Sequence, residues 1–158
     1  MEGKMKANIH KIDVFLTNWM ASKGIGILRI SLGIIFTWFG ILKYFSGLSP
    51  AESLAIRTID ILTFGLIGED LVRYGLATWE TLIGIGLIFN FQLRITLLLL
   101  FLQMIGTMTP IFLLPDEVFN IVPYSLTLEG QYIIKNLAII GGGIVIGSTV
   151  RVKTKKPE

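Results

Sequence analysis

Four stretches of this chain are apolar enough and long enough to cross a lipid bilayer as helices. The hydrocarbon core of a bilayer is about 30 Å thick and requires about 20 helical residues. Charged residues make up only 16% of the 158 residues, against about 25% in soluble domains. We therefore expect an all-α integral membrane protein, a four-helix bundle that forms one domain over residues 1–158. The four windows are residues 24–45, 74–91, 93–114 and 132–150.

Three of these windows reach spanning length only by including ionisable residues. They are Arg29 and Lys43 in the first window, Glu80 in the second and Lys135 in the fourth. The second window is the weakest, because a central acid costs about 2.5 kcal/mol or more on an insertion scale and cancels most of the apolar gain. We expect this helix to depend on its neighbours and on a partner for Glu80.

Lysine and arginine are unevenly distributed around the windows. Nine of the fourteen lie in the N-terminal tail, in the turn between the second and third windows, or in the C-terminal tail. The connecting segments on the other side collect acidic residues, among them Glu69, Asp70, Asp116 and Glu117. By the positive-inside rule we expect both termini in the cytoplasm. The polar N-terminal residues and the long first apolar run argue against a cleaved signal peptide.

The scarcity of certain residue types narrows the chemistry. The chain has no cysteine and one histidine, His10, which argues against disulfide frameworks, cysteine zinc sites, iron–sulfur clusters and bis-histidine haem. The basic tails are short and flank the spans without interleaved aromatic residues, a pattern that fits anionic lipid and not nucleic acid. We expect no metal site, no covalently bound cofactor and no independent catalytic motif.

Two amphipathic helices are predicted outside the spans. Residues 9–20 place apolar side chains on one side, which is typical of a helix lying in the membrane interface. A second helix is predicted over residues 50–67. It is preceded by Ser49, which starts a capping box (Ser-Pro-Ala-Glu) with proline at the first helical position. We predict that this second helix lies on the outer membrane surface, either as a cover for the bundle or as a plain connecting helix.

The two halves of the chain resemble each other. Residues 28–32 (Leu-Arg-Ile-Ser-Leu) match residues 93–97 (Leu-Arg-Ile-Thr-Leu), and a shift of 57 residues aligns Gly84 with Gly141. This duplication predicts two hairpins of the same orientation. Glycines in both hairpins are expected to let helix backbones approach closely. These glycines are Gly33, Gly40, Gly84, Gly86 and the three at 141–143.

Helical spacing places the polar residues of each span on one face. In the first window this stripe is Arg29, Gly33, Phe36, Gly40 and Lys43, and in the fourth it is Gln131, Lys135, Ala138 and Gly142. We assign Arg29 and Arg94 to the cytoplasmic half of the membrane. The candidate ligand-binding residues, from the middle to the outer rim, are Lys43, Glu80, Gln103, Thr107, Glu129 and Lys135.

Two interpretations of these candidate residues stay open. An ionisable residue inside a membrane indicates function, and two lysines for one acid leave a surplus positive charge that suits a small anion or a quinone carbonyl. Alternatively, Glu80 only neutralises Lys43 or Lys135 and fixes the register of the helices.

Three segments of the chain resemble the DoxX-like family of small four-span bacterial membrane proteins. These segments are residues 28–45, 79–86 and 126–136, and the resemblance extends over about residues 25–150. It implies a location in the bacterial inner membrane. Some members of the family are partners of thiosulfate:quinone oxidoreductases or of oxidant-defence systems. The resemblance supplies no catalytic residue, but its motif segments include Arg29, Lys43, Glu80, Glu129 and Lys135.

Three functions follow from the residues and the resemblance together. The leading hypothesis is a quinone-associated or redox-partner subunit that binds a quinone headgroup or a small anion. The second is a small-solute permease or exporter, and the third is a structural or assembly subunit without a ligand. Apolar outer faces with many glycines also leave room for a homo-oligomer.

Overall fold

The computed structural model describes residues 2–49 and 52–151, and most of this part of the chain is helical. Its helices are α1 (Glu2–Leu42), α2 (Glu52–Leu62), α3 (Glu69–Phe89), α4 (Leu93–Met108), α5 (Pro110–Leu113), α6 (Pro115–Val118) and α7 (Leu128–Ser148). A two-stranded antiparallel ribbon of β1 (Phe119–Ile121) and β2 (Ser125–Leu126) lies between α6 and α7.

Four helical segments are long and apolar enough to cross a membrane: α1, α3, α4 continued by α5, and α7. This confirms the predicted all-α membrane bundle. α1 packs against α3 and α7, and α4 packs against the same two helices. The side chains buried between them form a continuous hydrophobic core of Leu32, Phe36, Ile83, Leu87, Leu97, Leu100, Met104 and Ile146.

A tight turn at residues 90–92 joins α3 to α4 and makes them antiparallel. Asn90 has a φ of 56°, a left-handed conformation that asparagine tolerates better than most residues. The amide of Phe91 donates to the carbonyl of Gly86 at 2.9 Å and closes the turn. We call this end of the bundle the turn end. The opposite end, which carries residues 43–49, 52–68 and 109–127, is the loop end.

The hairpins α1–α3 and α4–α7 run in the same direction along the bundle. Gly33 of α1 lies against Gly84 and Ile88, whereas Gly40 lies against Thr81, so α1 and α3 are antiparallel. Gly143 of α7 faces Leu100 and Phe101 of α4, and Gly147 faces Leu97. The second hairpin is therefore also antiparallel, as the duplication predicts.

The N-terminal part of the chain differs from the expectation of a separate interfacial helix at residues 9–20. α1 is one uninterrupted helix of 41 residues, about 60 Å long at 1.5 Å per residue. Gly24 and Gly26 do not break it, because a glycine costs a helix only about 1 kcal/mol relative to alanine. Side chains at residues 8–23 are all exposed, so the first half of α1 extends beyond the bundle at the turn end.

α2 covers part of the loop end. Its buried residues Leu54 and Thr58 face inward, and Leu54 packs with Val118 and Ile133 in a second hydrophobic cluster. The helix ends at Leu62, earlier than predicted, where Gly65 with a φ of 74° donates its amide to the carbonyl of Asp60 at 2.9 Å.

The predicted capping box at the start of α2 is only partly visible. Pro50 and Ala51 lie outside the described residues. The amide of Glu52 donates to the carbonyl of Ser49 at 3.4 Å, and the Glu52 carboxylate accepts the amide of Gly47 at 3.1 Å. Glu52 thus helps to order the chain that leads into α2.

The segment between α5 and α7 has more structure than the sequence patterns indicated. In the ribbon, Phe119 pairs with Leu126. Thr127 is the N-cap of α7: its hydroxyl accepts the amide of Gly130 at 3.0 Å and donates to the carbonyl of Glu117 at 2.6 Å. One threonine therefore joins the start of α7 to the end of α6.

Candidate functional site

An ion pair joins α3 to the end of α1 inside the loop-end half of the bundle. The ammonium of Lys43, the first residue after α1, lies 2.5 Å from the Oε2 atom of Glu80. The side chains are only 13% and 11% exposed, respectively. Because the bundle excludes most water from this pair, each charge depends on the other for its stability.

Gln103 of α4 completes this arrangement. Its side-chain amide donates to the Oε1 atom of Glu80 at 2.9 Å, and both residues are buried. The carboxylate thus has one partner directly after α1 and one from α4. We call Lys43, Glu80 and Gln103 the Glu80 cluster. The sequence placed all three among its candidates, and the structure brings them together.

A second polar contact links α4 to α7 next to the Glu80 cluster. The amide of Asn136 donates to the hydroxyl of Thr107 at 3.2 Å, and both side chains are half-buried. Thr107 follows Gln103 by four residues, so the two share one face of α4. Thr107 was a candidate from the sequence but Asn136 was not. The signal that would have found it is its position as the polar residue between the inward-facing Ile133 and Gly143.

Lys135 does not join the Glu80 cluster, contrary to the expectation of convergence. It is exposed, and its ammonium lies 5.6 Å from the centre of the Tyr132 ring on its own helix. The predicted α7 stripe is wrong as an inward face, because Gln131 and Ala138 are exposed as well. The surplus positive charge inferred from two lysines is therefore absent from the cluster. Lys135 lies in the second turn of α7, so its long side chain can run along the outer face of the helix and place the ammonium at the membrane interface.

Glu129 and Arg94 lie apart from the Glu80 cluster. Glu129 is half-buried in the first turn of α7, near the loop end. Arg94 is exposed at the start of α4, at the turn end. Neither residue shares a hydrogen bond with the cluster.

Arg29 binds the end of α3 at the turn end of the bundle. Its guanidinium donates to the carbonyl of Leu87 and, at 3.0 Å, to the carbonyl of Ile88. The last carbonyls of a helix have no intrahelical donor and carry partial negative charge, so an arginine there is stabilising. Arg29 therefore acts as a cap supplied by a neighbouring helix.

The interface between α1 and α3 brings the two backbones into contact. A Cβ atom on Gly40 would lie 2.7 Å from the backbone nitrogen of Thr81, and one on Gly84 would overlap the backbone nitrogen of Thr37. Gly40 of α1 thus packs against Thr81 of α3, and Gly84 of α3 packs against Thr37 of α1. This confirms the predicted packing role of Gly33, Gly40 and Gly84, and it holds Lys43 and Glu80 in register. Gly86 makes a similar contact with Thr96 of α4.

A shallow apolar groove of about 440 Å³ lies on the outer surface of α3 and α4. Trp79 forms part of its wall, and the indole N–H donates to the carbonyl of Leu99 at 3.1 Å. Trp79 precedes Glu80, and Leu99 precedes Gln103 by one turn, so the groove lies at about the height of the cluster along the bundle but on the outer face of the helices. Its lining is Leu71, Tyr74, Gly75, Thr78, Trp79, Leu82 and Leu99.

Ion pairs at the loop end attach α2 to the bundle. Arg57 of α2 pairs with Glu117 of α6, and Arg73 of α3 lies 3.7 Å from Glu52 at the start of α2. Among the side chains that the structure describes, no group of three or more His, Asp or Glu residues could hold a metal ion.

Comparison with known proteins identifies the family. Residues 24–114, more than half of the chain, match the family model of DoxX. The match contains the whole Glu80 cluster and ends before α7. No curated protein and no solved structure gives a match. The four spanning helices and the match over residues 24–114 together establish that this chain is a multi-pass membrane protein of the DoxX family.

Proposed function

We propose that this protein is a quinone-associated subunit of the bacterial inner membrane, in which the Glu80 cluster binds a quinone headgroup and a partner redox enzyme exchanges the electrons. The observation that carries this proposal is the convergence of an acid, a lysine and an amide from three helical segments at one buried point. An ionisable side chain at the centre of a membrane helix costs about 2.5–3.5 kcal/mol on insertion scales, so it indicates a functional site.

The charge balance of the cluster favours a neutral ligand over a small anion. Lys43 and Glu80 cancel, and the exposed Lys135 contributes no further positive charge there. A quinone carbonyl is an uncharged acceptor. The ammonium of Lys43 has three N–H donors, and the Gln103 amide keeps a carbonyl oxygen that accepts from a quinol hydroxyl.

The apolar groove on the outer surface of α3 and α4 would hold the other part of such a ligand. A membrane quinone has a small polar ring and a long hydrocarbon tail. The groove wall is almost entirely apolar and faces outward from α3 and α4. A headgroup at Glu80 would therefore leave its tail next to Trp79 and Leu99, in contact with lipid.

The orientation follows from the distribution of lysine and arginine. With both termini in the cytoplasm, the turn end faces the cytoplasm and the loop end faces outward. The Glu80 cluster then lies in the outer half of the membrane.

A second candidate function, a structural or assembly subunit without a ligand, is favoured by one observation. Both carboxylate oxygens of Glu80 already have partners within the chain. In that case the ion pair only fixes the register of α1 against α3.

Quinone binding to the purified protein separates these candidates. We would extract and quantify co-purified quinone, and titrate the protein in lipid nanodiscs with decylubiquinone while recording quenching of tryptophan fluorescence. Glu80→Gln and Lys43→Met are expected to weaken binding about tenfold or more, the equivalent of one lost charge-assisted hydrogen bond.

Lys135→Met is the matched control, because it removes a lysine near the same end of the bundle from an exposed position. It should bind quinone like the unmodified protein. The proposal would be contradicted if the unmodified protein showed no saturable binding. It would also be contradicted if both cluster variants bound quinone as tightly as the unmodified protein, and either result would favour the structural role. Gel filtration and circular dichroism of each variant show whether it is folded.

A further inference from the structure

We infer that α1 is a dimerisation helix, which packs in parallel along α1 of a second copy of this chain. The inference rests on an exposed apolar stripe that runs without a change of face from the N-terminal extension into the spanning part of the helix. It is independent of what the Glu80 cluster binds.

The extension contributes the first part of the stripe. Ile9, Ile12, Leu16 and Trp19 are spaced three, four and three residues apart, and each is between 46% and 60% exposed. Alternating steps of three and four residues form the heptad pattern, in which two helices supercoil with apolar residues at their seam. The opposite face of the extension carries the polar residues Thr17 and Asn18, together with one exposed apolar residue, Val14.

The spanning part of α1 continues the same stripe. Ile27, Ile30, Ile34, Trp38 and Ile41 are spaced three or four residues apart and are between 42% and 66% exposed. The residues of α1 that contact α3 include Arg29, Gly33 and Gly40. The stripe residues Ile30, Ile34 and Ile41 come one position later and therefore point about 100° away from α3. The stripe is therefore free for a partner along the full length of the helix.

Lipid can cover only the second part of this stripe while α1 stays straight. The hydrocarbon core is about 30 Å thick, so about 20 of the 41 residues lie outside it. The apolar side chains of the extension, those of the stripe among them, would then face water. A second copy has the same stripe and the same orientation in the membrane, so a two-fold axis along the membrane normal covers both parts at once.

The surface available is large enough for a stable pair. The exposed area of the nine stripe residues is on the order of 1,000 Å² per chain, against about 800 Å² per partner in a standard interface.

Lys23 is the one polar residue on the stripe, and it lies between its two parts. A single polar residue at a seam fixes register at a cost in stability. Lys23→Leu should therefore move dissociation of the dimer to lower protein concentration.

Disulfide crosslinking tests the pairing directly, because the chain has no cysteine of its own. Single-cysteine variants Ile12→Cys, Leu16→Cys and Ile34→Cys are oxidised in proteoliposomes at a low protein-to-lipid ratio. We expect most of each to run as a dimer on a non-reducing gel. Thr17→Cys and Asn18→Cys, on the opposite face, are the matched controls and should stay monomeric.

A second measurement keeps the inference falsifiable without oxidation. Leu16 lies outside the bundle, so Leu16→Glu should leave the helical signal unchanged while it halves the mass measured by light scattering; Asn18→Glu should leave the mass unchanged. Equal crosslinking on both faces, or a dimer that survives Leu16→Glu, would overturn the inference. So would a monomer whose stripe positions, when spin-labelled, are accessible to oxygen dissolved in the membrane, because the extension would then lie on the lipid surface.

Discussion

The two hairpins of the bundle share a direction but are held together by different contacts. In α1–α3, glycines bring backbone against backbone, and a Cβ on Gly33 would lie 3.0 Å from the carbonyl oxygen of Gly84. In α4–α7, side chains separate the helices: a Cβ on Gly143 would lie 3.2 Å from the ring of Phe101. Gly141, the counterpart of Gly84 in the duplication, has open space around it.

Their polar contacts differ in the same sense. The first hairpin contains the ion pair of Lys43 with Glu80 and the arginine cap at Arg29. The second has a neutral hydrogen bond between Asn136 and Thr107, and joins the charged site only through Gln103. A duplicated apolar pattern thus preserves helix length and direction, whereas the interface depends on single residues at the points of contact.

The largest effect is expected from a methyl group on the contact glycine of the first hairpin. In Gly84→Ala the new Cβ meets the backbone of Thr37, which cannot move without separating α1 from α3. We expect a loss of about 3 kcal/mol or more in the free energy of unfolding. Circular dichroism during unfolding with increasing sodium dodecyl sulfate measures this loss.

Gly141→Ala is the matched control in the second hairpin. Nothing lies within 4 Å of a Cβ at this position, and alanine favours helix over glycine, so stability should stay equal or rise by up to about 1 kcal/mol. Similar losses at both positions would show that the two hairpins pack alike.

An intermediate effect is expected at the two arginines that the duplication aligns. Arg29→Met removes charge-assisted hydrogen bonds to the last carbonyls of α3 and should cost about 2 kcal/mol. Arg94→Met removes an exposed side chain and should change stability by less than about 0.5 kcal/mol. Comparison of their thermal unfolding in one detergent checks this, and a larger loss at Arg94 would reverse the assignment of the cap to the first hairpin.

The smallest effect is expected at the neutral contact of the second hairpin. Hydrogen bonds between membrane helices are worth about 0.6 kcal/mol on average, so a double-mutant cycle of Asn136→Ala with Thr107→Val should give about this coupling energy. A coupling above about 2 kcal/mol would mean that this contact is as strong as the charged ones, and the contrast between the hairpins would fail.

Much of the Glu80 cluster could be predicted because charge inside a membrane is a strong signal. Glu80 required a partner, and helical spacing put Lys43 on the face of α1 that also carries Gly33 and Gly40. The same reasoning misplaced Lys135, because one polar residue does not define the inward face of a helix that is apolar all round. Asn136 was missed for the same reason.

Outside the spans, local patterns were accurate in helix type and less so in extent. The amphipathic pattern at residues 9–20 does form a helix, but no strong breaker separates it from the span, so α1 continues through Gly24 and Gly26. The ribbon β1–β2 and the cap at Thr127 depend on contacts with α6, which no local pattern reports.

The sequence by itself determined that this chain has four membrane-spanning helices, their alternating direction and the need for a partner at Glu80. These properties depend on the energy of placing side chains in lipid, which is a sum over residues along the chain. Only the tertiary structure decided which lysine pairs with Glu80, which glycines lie at the interface and which face of α1 stays open. Those outcomes depend on the rotation of each helix about its axis, which lipid does not constrain because it solvates every apolar face equally well.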